Sequence, residues 1–219
     1  MAVNRTGLPF APQVRIVEDF SKAEMVVAFL RAETDSSRCR HMLDRELTRL
    51  GMDRVLIEEP NVLDRDENIR RETLLLAVSP HDGLVPLLPG LPDDIEWKVA
   101  LPDIADLKRS KYVKIDHWVE FSGPSRQVAD GARAARDGKS VSNIPNELFL
   151  SMAAQWKAGS RFPRPILVAE NAESDPVILD GHLRITSLAL LHLIAPRAIP
   201  QPSEVIIGFS RHLPQWPLY

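Results

Sequence analysis

Residues 176–191, PVILDGHLRITSLALL, constrain the fold of this chain more than any other stretch. An apolar run at residues 177–179 is too short for a helix and indicates a strand. The Asp180–Gly181 pair then interrupts the run, and leucines return at roughly helical spacing after it. The sequence therefore predicts a strand, a tight turn and a helix. At the turn, Gly181 would permit a positive φ and let a ligand approach the backbone closely.

The predicted turn carries side chains suited to binding an anion or a metal. A helix start presents unpaired N–H groups and the positive end of the helix dipole. Arg184 could form paired hydrogen bonds with phosphate oxygens, His182 could donate to them or move a proton, and Asp180 could hold a metal. In the alternative interpretation, Asp180 only caps the helix and the other two side chains lie on its solvated first turn.

The Asp180-Gly-His-x-Arg184 turn, preceded by an apolar hairpin, resembles the signature of the ParB/sulfiredoxin-like superfamily. That superfamily includes the chromosome-partitioning CTPase domain, sulfiredoxin and free-serine kinases. The resemblance covers roughly the last half of the chain. It implies an α/β (α+β) fold with a ParB/sulfiredoxin-like core, and binding of ATP or another nucleoside triphosphate with Mg²⁺. Phosphate contacts would then come from Gly181, His182, Arg184 and Thr186, and the metal ligand would be Asp180.

Two departures from the superfamily pattern bear on the reaction. The catalytic cysteine of sulfiredoxin has no counterpart, because Gly181 is followed directly by His182. Sulfinic-acid reduction is therefore not expected. Leu183 stands where the free-serine kinases carry a second histidine, which weakens the analogy for the reaction more than for phosphate binding.

A second stretch, residues 112–126, also carries polar groups. Residues 112–115 indicate a strand, and Ser125 is placed to cap a following helix that ends at Gly138. Ser122, Ser125 and Arg126 would form another anion site at the start of that helix. Glu120 stands just before it and could accept a proton from a substrate hydroxyl, facing one cleft with the Asp180 turn. The alternative is a solvated glutamate and an ordinary helix cap.

The first hundred residues are predicted to be mostly helical. Ser21 and Glu24 form a capping-box pattern, a second helix runs from about 36 to 50, and a third starts at Asp64. Residues 79–94 are rich in proline and glycine and indicate a long irregular connection, a lid or a boundary. We predict a helical N-terminal extension at 1–108 and the core at 109–219, or one compact unit.

The C-terminal segment is rich in aromatic residues for a chain terminus. A frayed tail would not need Trp216 and Tyr219, so we expect the tail to pack on the core or over a ligand.

Composition limits the possible functions. The net charge of −3 argues against a dedicated nucleic-acid binder. The single cysteine, Cys39, excludes an internal disulfide and a metal site built from a cluster of cysteines. No stretch is apolar enough to span a membrane, and residues 1–10 lack the apolar core of a signal peptide. The expected location is the cytoplasm.

The leading hypothesis from the sequence is a nucleotide-dependent phosphotransferase acting on a small hydroxylated metabolite. Phosphoryl transfer depends on positioned cations and helix N-termini, with Glu120 as base and Asp180 and His182 beside the phosphate. The alternatives are a non-catalytic nucleotide-binding regulatory or interaction protein and a ParB-like nuclease. A homo-oligomer or a protein partner bound through the N-terminal helices is compatible with each.

Overall fold

The computed structural model describes residues 14–36, 39–78, 87–142, 144–198 and 204–219. Within these ranges the chain forms six strands and nine α-helices, with two short 3₁₀ turns near the C-terminus. The strands are β1 (Arg15–Phe20), β2 (Glu96–Leu101), β3 (Lys111–Tyr112), β4 (Ile166–Ala169), β5 (Val177–Asp180) and β6 (Val205–Phe209). The helices are α1 (Lys22–Asp35), α2 (Arg40–Leu50), α3 (Val55–Glu58), α4 (Arg65–Val78), α5 (Ile104–Arg109), α6 (Asp116–Ser122), α7 (Val128–Arg136), α8 (Asn146–Lys157) and α9 (His182–Ile194).

The six strands form one mixed sheet in the order β1-β2-β6-β4-β5-β3. Strands β4 and β5 pair antiparallel, as the hairpin prediction required, whereas β4–β6 and β3–β5 are parallel. The mixed α/β class is therefore confirmed. Membership in the ParB/sulfiredoxin-like superfamily stays a prediction.

The sheet joins the two parts into which the sequence was divided. Strands β1 and β2 lie before residue 108, and β2 pairs with β6 over five residue pairs. The proposed boundary at 108/109 falls inside α5, whose Leu107 is buried. This arrangement favours the single compact unit over a separate N-terminal extension.

Local signals correctly placed the first helices. Ser21 and Glu24 form the full capping box at the start of α1. Helix α2 ends at Gly51, which has the left-handed φ of 62°. The Asp64 carboxylate accepts the backbone N–H groups of residues 66 and 67 at the start of α4.

Other features of the first half were not predicted. Of the apolar residues on α4, Leu74, Leu75 and Val78 are buried, whereas Ile69 and Leu76 are about half exposed. The edge strand β1 was not predicted, because its six residues lack an apolar alternation and most are exposed. The short helices α3, α5 and α6 were also missed.

The segment at 79–94 is only partly described, and residues 79–86 lie outside the described residues. Residues 87–94 contain no regular element, in agreement with the prediction. No helix among the described residues is long and apolar enough to cross a bilayer.

The C-terminal segment packs against the core, as predicted. Trp216 is 2% exposed and Leu213 is fully buried. The backbone N–H of Lys114 donates to the carbonyl of Leu218, and the Tyr219 hydroxyl accepts a hydrogen bond from the N–H of Glu170. The tail is therefore fastened by polar contacts as well as by apolar burial.

Candidate functional site

The turn between β5 and α9 has the predicted strand-turn-helix geometry. Gly181 occupies the N-cap position of α9 with φ 91° and ψ 23°. A Cβ atom there would lie 2.9 Å from Cβ of Pro165 and 3.0 Å from Nε of Arg184. Only glycine combines this left-handed conformation with so close an approach. The turn is therefore a specialised backbone feature and not an ordinary helix cap.

Asp180 and Arg184 are bound to each other within this turn. The Arg184 Nη2 forms an ion pair with Asp180 Oδ2, and its Nη1 donates to the carbonyl of Pro163 at 3.2 Å. The other carboxylate oxygen, Oδ1, accepts the N–H of Gly181 at 2.6 Å. The two charged side chains are only 16% and 11% exposed. Both oxygens of Asp180 are thus engaged by protein groups.

The residues do not fit the predicted Mg²⁺ site. A metal at Asp180 would have to displace Arg184 from the carboxylate. Within the described residues, no group of three or more histidine, cysteine or acidic side chains could hold a metal ion. Asp180 is therefore better described as the partner of Arg184 than as a metal ligand.

The His182 ring lies in an aromatic stack. Its centroid is 4.8 Å from that of Trp118 with an interplanar angle of 15°, and 6.1 Å from that of Tyr112. Tyr112 and Trp118 are themselves stacked at 4.7 Å. The stack fixes the plane of the imidazole at the start of α9.

Thr186 supports this stack and is not available to a ligand. It is fully buried, and its hydroxyl donates to the carbonyl of His182 at 2.6 Å. The Tyr112 hydroxyl lies 2.6 Å from Oγ1 of Thr186. Because the Thr186 proton is already donated, Tyr112 must be the donor in this contact. Burial raises the pKa of Tyr112, which keeps its hydroxyl protonated. The assignment of Thr186 to ligand binding is therefore corrected to a structural role.

The structure argues against the placement predicted for Glu120. It lies within α6 and not between a strand and a helix, because β3 ends at Tyr112. Trp118, which contacts His182, is on the buried face of α6. Side chains two positions apart on a helix point about 160° away from each other. Glu120 is therefore directed to the outer face of α6, where it is exposed. Burial lowers the pKa of the neighbouring His117, and the charges of Asp116 and Glu120 partly offset this shift.

The second predicted anion site, at Ser122, Ser125 and Arg126, is not assembled. Ser122 donates to the carbonyl of Trp118 at 2.7 Å, inside its own helix. Helix α7 begins at Val128, and the Ser125 hydroxyl donates to the Asp130 carboxylate in its first turn. That carboxylate occupies the end of the helix where an anion would bind.

Arg126 has a structural role as well. It has the unusual φ of 55°, and its Nη1 donates to the carbonyl of Tyr112 at 3.2 Å and faces that of Leu218 at 3.5 Å. Burial lowers its pKa. These contacts connect the aromatic stack to the C-terminal tail.

Sequence reasoning missed Tyr112 and Trp118 as parts of the site. Trp118, Phe121 and Ser122 are spaced as one buried face of a helix, a signal that could have identified α6. The assignment of residues 112–115 to a strand concealed it. No local pattern indicated that Trp118 reaches His182.

A cavity of about 10 Å³, too small to hold a nucleotide, lies against Arg184 and Trp156, and a separate cleft of about 460 Å³ is lined by other residues. On the outer side of the turn, His182 and Leu183 are half-buried. No protein-family model, curated protein or solved structure matches this chain.

Proposed function

We propose that this protein is a non-catalytic nucleotide-binding regulatory protein, which holds the phosphates of a nucleoside triphosphate at the start of α9. The observation that carries the proposal is the N-terminus of this helix. It begins at a left-handed glycine, and among the described residues no side chain caps it. The N–H of Gly181 is bonded to Asp180 Oδ1, and the positive end of the helix dipole lies where a phosphate would bind.

Arg184 supplies the charge that a phosphate requires at this position. It lies in the first turn of α9 and is paired with Asp180. A bound phosphate would compete with the Asp180 carboxylate for the guanidinium, since both offer oxygen acceptors to the same donors. Asp180 thereby lowers the affinity and holds Arg184 in place when no ligand is bound.

His182 is the second side chain that we assign to the ligand. Its ring is oriented by the stack on Trp118 and lies beside the same helix end. An imidazole held in one plane loses little freedom on binding, which favours a hydrogen bond to a phosphate oxygen.

Binding without transfer fits the remaining geometry better than phosphotransfer. Phosphoryl transfer requires a metal bridging the phosphates and a group that orients the nucleophile. Glu120 lies on the outer face of α6, and both oxygens of Asp180 are engaged by protein groups. The phosphotransferase hypothesis from the sequence would need α6 and the Asp180–Arg184 pair to rearrange.

The sharpest test is Asp180→Asn, measured by calorimetry with ATP and with CTP, each with and without Mg²⁺. Asparagine keeps the acceptor for the Gly181 N–H but releases Arg184 from its ion pair. We expect nucleotide affinity to rise about fivefold, on the scale of a partly exposed ion pair. Asp44→Asn serves as the matched control, because Asp44 lies on α2 and forms an ion pair with Arg54. It should leave affinity unchanged.

The opposite result would support phosphotransfer. If Asp180 binds the metal, Asp180→Asn should weaken binding of the Mg²⁺ nucleotide and abolish any turnover. Product analysis with a panel of hydroxylated metabolites provides a second criterion, because metabolite-dependent formation of ADP would contradict a non-catalytic role. Absence of nucleotide binding in the wild-type protein would refute the proposal itself.

A further inference from the structure

Helix α4 exposes apolar side chains on the face that is turned away from the core. Its inner face packs against α1 and α2. The residues that α4 buries are Arg71, Leu74, Leu75 and Val78. On the outer face, Ile69 and Leu76 are 54% and 50% exposed, and Thr73 lies exposed between them. Residues three, four and seven apart share one face of a helix, so these three side chains form one stripe.

Charged side chains border this stripe on both sides. At about 100° per residue, Arg65 and Glu72 lie along one border of the exposed face. Asp66 and Arg70 lie along the other. Glu72 forms an exposed ion pair with Lys22. The other three charges are exposed, and no described residue forms an ion pair with them. Each border therefore carries one basic and one acidic residue.

The order of these charges makes the surface complementary to a second copy of itself. When two α4 helices pack antiparallel about a two-fold axis at Ile69, each border meets the same border of the other helix. Arg65, four residues before the axis, then lies opposite Glu72 of the second copy, three residues after it. On the other border, Asp66 reaches Arg70 of the second copy. A parallel pair would also match opposite charges, but it brings the like ends of the helix dipoles together.

Leu63 adds a further exposed apolar side chain just before α4. It is 92% exposed, and its loop is held in place by the fully buried Arg71. The Arg71 guanidinium donates to the carbonyls of Leu56 and Asn61 at 3.1 Å and 2.8 Å. In the antiparallel arrangement the start of one helix lies beside the end of the other, so Leu63 would lie beside Leu76 of the second copy. Because this surface is already ordered, little conformational freedom is lost on association.

We propose that α4 is the centre of a two-fold symmetric contact between two copies of this chain. The apolar stripe packs against the stripe of the second copy, and the charged borders pair across the axis. One helix and one loop from each copy form a small interface, in the size class of weak and transient complexes. The dimer therefore dissociates with a Kd on the order of 100 μM. None of its residues belongs to the nucleotide site proposed above.

The test is sedimentation velocity of the full-length protein at increasing concentration. The average mass of the wild type should rise from that of a monomer toward that of a dimer. Ile69→Lys places two positive charges face to face on the axis and should weaken the dimer at least about tenfold. Because Ile69 is half exposed, this variant should melt with the wild type. Leu150→Lys changes a 45% exposed leucine on α8 and is the control, which should dimerise like the wild type.

A charge swap tests the orientation of the two helices. Asp66→Arg puts an arginine opposite Arg70 of the second copy and should weaken the dimer about fivefold, since the symmetry disrupts two exposed ion pairs at once. Adding Arg70→Asp restores opposite charges in the antiparallel arrangement and should recover most of the wild-type affinity. In a parallel arrangement the same double variant would bring like charges together and stay weak.

Three results would overturn the proposal. A wild-type protein that stays monomeric at all concentrations would leave this face of α4 to a different partner. Equal association of Ile69→Lys and Leu150→Lys would place the contact elsewhere on the molecule. A double variant of Asp66 and Arg70 that associates no better than Asp66→Arg would exclude the antiparallel pairing.

Discussion

Replacement of Gly131 by alanine gives the most stringent test of the packing behind the α9 turn. Gly131 lies within α7, where alanine is ordinarily the better helix former by about 1 kcal/mol. A Cβ atom at this position, however, would lie 2.1 Å from the hydroxyl oxygen of Tyr112 and 2.8 Å from its ring. Tyr112 is fully buried, so it cannot move aside without disturbing its neighbours.

The expected loss of stability follows from two costs and one gain. Overpacking a closed core typically costs about 1–3 kcal/mol. Displacing the Tyr112 hydroxyl also removes its hydrogen bond to Thr186, a contribution of about 1 kcal/mol. The gain in helix propensity offsets only part of these costs. We therefore expect Gly131→Ala to lower the free energy of unfolding by about 2 kcal/mol and the melting temperature by about 4–8 °C.

The assay is chemical denaturation and calorimetry of the single and double variants. Gly138→Ala is the control, because Gly138 ends the same helix with φ 85° and no described atom lies within 4 Å of its Cβ position. It should cost about 1 kcal/mol from backbone strain alone. Adding Tyr112→Phe removes the 2.1 Å contact, so the double variant should be less destabilised than the two single effects combined, by about 1 kcal/mol.

The same variant should affect the nucleotide site. The Tyr112 ring stacks on Trp118, and its hydroxyl supports Thr186 below the His182 carbonyl. Displacement of Tyr112 should therefore weaken nucleotide binding, whereas Gly138→Ala should not. A Gly131→Ala protein as stable as the wild type, or more stable, would refute this account of the packing.

Two further predictions concern the C-terminal segment. Ser210→Ala removes the principal hydrogen bond that lowers the pKa of Asp94, so NMR titration should show that pKa move up toward its ordinary value of 3.8. A carboxyl group whose pKa is lower in the folded state than in the unfolded state stabilises the fold at pH values above its unfolded-state pKa. The stability advantage of wild type over Ser210→Ala should therefore be largest at neutral pH and decline as pH falls through the folded-state pKa of Asp94. An unchanged pKa of Asp94 in the variant would show that Ser210 is not responsible. Deletion of residues 212–219 removes the buried Leu213, Trp216 and Leu218, and it should expose apolar core and lower the melting temperature markedly in calorimetry. A truncated protein that melts with the wild type would mean that the tail does not stabilise the fold.

Sequence alone determined the features of this protein that depend on near neighbours in the chain. The capping box of α1 and the glycine stop of α2 involve groups three or four residues apart. The strand, left-handed glycine and helix around Gly181 likewise follow from a local change of pattern. Such features form wherever the local hydrogen bonds and backbone angles are favourable, so residue types and spacing are sufficient to predict them.

Tertiary structure alone decided which side chains meet at each site. The contact of Tyr112 with Thr186 spans 74 residues, and that of Asp94 with His212 spans 118. A two-residue strand, β3, sets the start of α6, and the phase of that helix turns Trp118 inward and Glu120 outward. A shift of one residue rotates a helix face by about 100°, and the spacing of Trp118, Phe121 and Ser122 specifies that phase only once the segment is known to be a helix. The sheet and the contact of Trp118 on α6 with His182 on α9 were needed to bring the residues of the site together.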